Sequence, residues 1–171
     1  MKRSNTVLLS HTVAFCSLLA FSIADSHAAE ASQAAFKSWS NFFHGGVWRT
    51  TIDEQHHEHR YEKIYDGQLQ VGETVDAGLR SKIVVGLDPA NEECRLWQFG
   101  SDGGVTVFSI KEMDPNTWVL TGKGNGPQGE TRYRSKVTRI GPNSTKEEML
   151  EYVLNGTKQP TTVRTWRRTK E

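Results

Sequence analysis

The run His56-His57-Glu58-His59 is the densest cluster of side chains able to bind a metal or move a proton. On an extended strand, side chains alternate between faces, so His57 and His59 share one face, with Tyr61 and Tyr65 further along it. His56, Glu58 and Arg60 take the other face. Two imidazoles at this spacing suit Zn²⁺ or Cu²⁺, and Glu73 on the neighbouring strand is the candidate third ligand for a metal-dependent or acid-base enzyme. The competing reading is a solvated, charged strand face, and it is preferred because only two ligands are assured. Facing a lumen instead, His57 and His59 become hydrogen-bonding or pH-sensitive ligand contacts.

Other groups carry less chemistry. Trp48, Trp97, Trp118 and Trp166 read as barrel-end core, or alternatively as the wall of a site for a flat apolar ligand. Glu73 and Glu151, placed on or near inward faces, require partners such as Arg132, Arg134 or Arg164. An arginine inside a barrel can also grip a ligand carboxylate. The stretch from Gly122 to Pro127 lacks the Lys-Ser/Thr ending and following helix of a phosphate loop, so it reads as a hairpin loop. No Gly-x-Ser-x-Gly elbow is present.

The elements that would position these groups follow from the chain's periodicity. Residues 1–28 have the makeup of a secretory leader: Lys2 and Arg3, a mostly apolar stretch, then Ser26-His27-Ala28 before the cut. Ser10, His11, Thr12 and Ser17 interrupt the apolar stretch, unlike a spanning helix of about 20 apolar residues. Removing Lys2, Arg3 and Asp25 from 21 basic and 20 acidic residues leaves 19 of each. That balance gives no reason to expect nucleic acid as a partner. Cys16 leaves with the leader, so Cys94 stands alone as a buried thiol with no intramolecular disulfide.

Phe36, Trp39 and Phe43 fall on one face of a short helix within 29–45, ending near Gly45-Gly46 and suited to covering one end of a sheet or barrel. Thereafter the period is two. Strands are expected over 47–53, 56–65, 68–76, 79–87, 94–100, 105–113, 117–124, 130–140, 146–154 and 161–169, separated by turn signals such as Asp66-Gly67 and Asn155-Gly156. About ten short strands with no helix between them predict an all-β, up-and-down antiparallel β-barrel over 46–171, since closure removes exposed edges. The expected inward residues are Trp48, Thr50 and Ile52; Leu69, Val71, Glu73, Val75 and Ala77; Ile83, Val85 and Leu87; Trp118 and Leu120; Tyr133, Ser135 and Val137; and Leu150, Tyr152 and Leu154. Such a barrel is wide enough to hold a ligand.

Gly46-Val47-Trp48 after a short helix, followed by a meander of strands, resembles the calycin superfamily of lipocalins, fatty-acid-binding proteins and nitrobindins. The resemblance implies a Trp48 at the closed barrel end, stacked on a last-strand arginine, with Arg164, Arg167 and Arg168 as candidates. Gly46, Trp48, Arg164 and Arg167 are therefore expected to be structural. Gly86-Leu87-Asp88-Pro89, the stretch from Trp97 to Gly104, Trp118-x-x-x-Gly122-x-Gly124 and Thr165-Trp166-Arg167-Arg168 look like a family of secreted bacterial lipocalin-like proteins to which no activity is attached. The chain departs from typical lipocalins in its ten strands, lack of a disulfide and short first loop. No histidine follows His59, so the nitrobindin haem ligand does not transfer.

Together these residues favour a secreted or periplasmic protein binding a small apolar or amphipathic ligand, with no cofactor and no membrane span after leader removal. The ligand contacts expected are His57, His59, Tyr61, Glu73, Trp97, Trp118 and Tyr133. An enzyme using His57 and His59, and a non-catalytic interaction module with an exposed aromatic patch and no cavity, are the alternatives.

Overall fold

The computed structural model describes residues 10–52, 54–76 and 78–169, with side chains from residue 27 onward. The leader assignment therefore lies in part outside the described residues, as do Asp53 and Ala77. A helix, α1 (Ser10–Phe43), leads into β1 (Val47–Ile52), β2 (Gln55–Ile64), β3 (Leu69–Asp76), β4 (Leu79–Asp88), β5 (Glu93–Gly100) and β6 (Val105–Asp114). β7 (Thr117–Gly126), β8 (Gly129–Gly141), β9 (Ser144–Leu154), the two-residue β10 (Thr157–Lys158) and β11 (Val163–Thr169) follow. The helix begins earlier than the sequence suggested. No described helix is long and apolar enough to cross a membrane.

All pairings are antiparallel and join sequence neighbours until β9, which pairs with β8 on one side and with β10 and β11 on the other. β11 then pairs with β1 and closes the sheet into a ten-strand barrel. β10 and β11 share one edge of β9 and behave as a strand interrupted near Pro160, which has no N–H to donate. Turns form where the sequence signals them: Asn155 and Gly156 have φ of 49° and 79°, the positive pair that a tight hairpin needs. Tyr65, expected further along the face that carries His57 and His59, instead lies in the turn after β2 and is exposed.

One barrel end is shut by α1. Ala35, Phe36, Trp39, Phe42 and Phe43 are buried with Trp48 and Trp118, as the helical spacing predicts. Gly46 lets the chain turn from helix to barrel. Its φ is +70°, and a Cβ there would lie 2.9 Å from the Thr169 carbonyl oxygen and 2.9 Å from Arg168 Cγ. Arg168, the register partner of Trp48, holds its guanidinium 5.2 Å from the Trp48 ring centroid. It also donates to the carbonyls of Phe42 and His44, both at 3.2 Å, and so satisfies acceptors left free at the helix end. The stacking arginine is thus Arg168. Arg167, one residue earlier, points outward and is exposed, and Arg164 lies deeper inside the barrel.

Inward faces agree on β1, β4, β7 and β8, where Trp48, Thr50, Ile83, Val85, Trp118, Leu120, Ser135 and Val137 are buried. Two strands differ. On β3, Gln70 and Thr74 are buried while Glu73 is exposed, so Leu69, Val71, Glu73 and Val75 face outward. The apolar residues of β3 are used outside, in a cross-strand row running Val71, Val84, Trp97, Val107. On β9, Arg134 pairs with Glu151 and Ser135 with Met149, leaving Leu150 as the extra residue of a bulge. The bulge reverses the phase, so Thr145 and Glu147 point inward along with Tyr152, and Leu150 is exposed. Leu87, at the end of β4, is also exposed.

Candidate functional site

The barrel interior holds a cavity of about 550 Å³, within the range of small-molecule sites. It runs from Trp39, Phe43 and Trp48 beneath α1 to the opposite end, framed by Asp102, Asn125 and Gln128, which are exposed to solvent. Two walls differ in chemistry.

The first is aromatic and comes from β6, β8 and β9. Tyr133 and Tyr152 are register partners stacked 4.9 Å apart at 8° between planes, and Phe108 lies 5.9 Å from Tyr133. Between them, Gly122 makes room: a Cβ there would overlap the Phe108 ring. Gly122 and Gly124 are therefore strand residues of β7, not part of a loop. Burial, and then the neighbouring Tyr152, push the Tyr133 phenol up to about 12, so it remains uncharged at neutral pH.

The second wall is polar and comes from β2, β9 and β11. Glu147 accepts from Arg164 Nε at 2.8 Å and Nη2 at 3.3 Å, and from Trp166 Nε1 at 2.8 Å. Burial alone would raise the Glu147 carboxyl, but the charge and hydrogen bonds of Arg164, with the Trp166 donor, hold it below its ordinary value. The Arg164 guanidinium also lies 5.1 Å from the Trp166 ring centroid. The His59 ring sits 4.1 Å from that of Trp166. Burial, reinforced by the positive charge of Arg164, depresses His59 to about 4, so the imidazole is neutral at pH 7. Tyr61 is buried next to it and its phenol is pushed well up, chiefly by that burial.

His59, Tyr61 and Tyr133 line the cavity. His57 shares their face but is buried beside the cavity, its Nδ1 hydrogen-bonded to Asp76 Oδ1. Trp118 is buried in the closed end against α1, where Ser38 Oγ accepts from its Nε1 at 3.1 Å. Glu73 and Trp97 are corrected: both sit on the outer face, Glu73 bonded to Lys82 and Trp97 in the exterior apolar row. The metal constellation of His57, His59 and Glu73 is consequently split between the two faces of the sheet. Among the described residues no group of three or more His, Cys, Asp or Glu side chains is placed to hold a metal ion. Cys94 is buried, and burial raises its thiol to about 12, which makes it unreactive.

Glu147, Trp166, Phe108 and Tyr152 complete the cavity. The inward ion pair is Glu147 with Arg164; Arg132, Arg134 and Glu151 are all exposed on the outer face. Cross-strand pairing supplies the missing signal for Glu147: two residues of β9 facing one of β8 mark the bulge, and only an aligned pair of strands reveals it.

No family model and no curated protein matches the chain. Among solved structures it is similar to one described as EF1p2_mFAP2b bound to DFHBI, with 16% identity over 77% of this chain and 98% of that one, at a TM-score of 0.36. At that score the likeness carries no functional conclusion.

Proposed function

We propose that this protein is a secreted or periplasmic binding protein that holds a small apolar or amphipathic ligand inside its barrel. The observation that carries the reading is the cavity of about 550 Å³, shut by α1 at one end and lined by both an aromatic and a polar wall. Export is supported by the leader-like composition of residues 1–28. An apolar ligand body would pack against Phe108, Tyr133 and Tyr152, while a polar head would reach His59 and Arg164.

Native mass spectrometry of the purified protein with an apolar probe such as Nile red tests this. One probe retained per chain, displaced by other apolar compounds, is expected. No retained probe at concentrations well above micromolar would remove the proposal.

A further inference from the structure

The polar corner of the cavity brings its own counter-ion. Arg164 and Glu147 are register partners on β11 and β9, and their side chains are only 15% and 13% exposed. The guanidinium is engaged through Nε and Nη2, and the carboxylate also accepts from Trp166. The charges of Arg164 and Glu147 therefore cancel before any ligand arrives, and Asp76, also on the cavity lining, adds a further carboxylate to this side. His59, which contacts Trp166, is uncharged, and so is Tyr61.

We propose that the barrel selects an uncharged amphiphile, with an apolar or aromatic body and a hydroxyl or carbonyl head, over the corresponding carboxylate. This rests on reading the cavity as a ligand site. A carboxylate entering the corner would lose its water, find Arg164 already paired, and sit beside Glu147 with the same sign of charge. A neutral oxygen meets no such opposition. Arg164 Nη1 makes no hydrogen bond to any described residue and is available to donate. The His59 Nδ1 faces the Tyr61 hydroxyl at 3.5 Å, which leaves Nε2 to meet a ligand hydroxyl that can donate or accept. The discrimination comes from Glu147: without it, the same arginine would be a carboxylate receptor.

The test compares 1-pyrenebutanol with 1-pyrenebutyrate, which share a body and differ in head group, by fluorescence titration at neutral pH. The alcohol should bind the wild-type protein about tenfold more tightly or better. Glu147→Gln, which keeps an acceptor for Trp166 but unmasks Arg164, should raise butyrate affinity by about tenfold and leave the alcohol within a few-fold. Glu147→Gln combined with Arg164→Gln removes both charges of the pair and should restore the preference for the alcohol. Equal or tighter binding of butyrate to the wild type would overturn the proposal, and that comparison needs no variant to fold. Unchanged butyrate affinity in a folded Glu147→Gln protein would overturn it as well. If neither probe binds the wild type, the ligand-site reading itself fails.

Discussion

His59 occupies a place where an imidazolium would be poorly tolerated: its half-buried ring lies 4.1 Å from that of Trp166 and near the Arg164 cation. Glu147 and Asp76 oppose these effects but do not overcome them. The consequence for stability has a definite sign. In the unfolded chain this histidine takes up a proton near its ordinary value of 6.5, whereas in the fold it does so only near 4. Between those values the unfolded state binds more protons, so stability falls as pH drops from about 6.5 to about 4. The loss attributable to His59 should be about 2 kcal/mol across that window, allowing for water in the cavity beside it. Urea denaturation at a series of pH values checks this, and His59→Gln should flatten the upper part of the window. Glu147 acts further down: its lowered value contributes stability that is present above the ordinary carboxylate range and is lost on acidification through the folded value. A profile unaffected by His59→Gln between pH 5 and about 6.5 would mean that the imidazole is solvated, contrary to its placement.

The junction between α1, β1 and β11 is where several local requirements coincide. Gly46 must be glycine both for its positive φ and for the close approach of Thr169. Gly46→Ala should cost about 2 kcal/mol in a denaturant titration. Arg168 stacks on Trp48 and serves the last carbonyls of α1, while Arg167 projects outward. Arg168→Met should therefore cost about 3 kcal/mol and Arg167→Met less than about 0.5, a contrast that the same titration measures. Trp48→Ala should cost roughly 3–5 kcal/mol, as expected for a fully buried tryptophan. Much of this arrangement is legible in the residues. Helical spacing places Phe36, Trp39 and Phe43, turn chemistry separates the strands, and the glycine before Trp48 locates the first strand. The face of β3 is not legible, because an apolar alternation reports burial against something without saying on which side. Leu69, Val71 and Val75 face outward, Val71 joining the exterior row, and the interior there is given to Gln70 and Thr74. Nor can β9 be phased alone, since its bulge at Leu150 is a property of the pairing with β8. Glu147 is hidden for that reason, and simple alternation puts Glu73 and Glu151 forward as the inward acids although both are exposed.

At the scale of the whole molecule, ten strands enclose more space than their inward side chains fill. One end is sealed by the aromatic residues of α1, and the other is framed by polar loop residues, so access is directional. Small inward residues such as Gly122, Gly124 and Ser135 keep the middle of the barrel open against Phe108 and Tyr133. The most direct test is to fill that space. Met149 lines the cavity without being fully buried, so Met149→Trp adds volume into open room. Isothermal titration of an apolar probe such as 1-pyrenebutanol into wild-type and Met149→Trp protein should give one site per chain in the wild type. The folded variant should bind at least about tenfold more weakly. Undiminished binding in a folded Met149→Trp protein would contradict a ligand site inside the barrel.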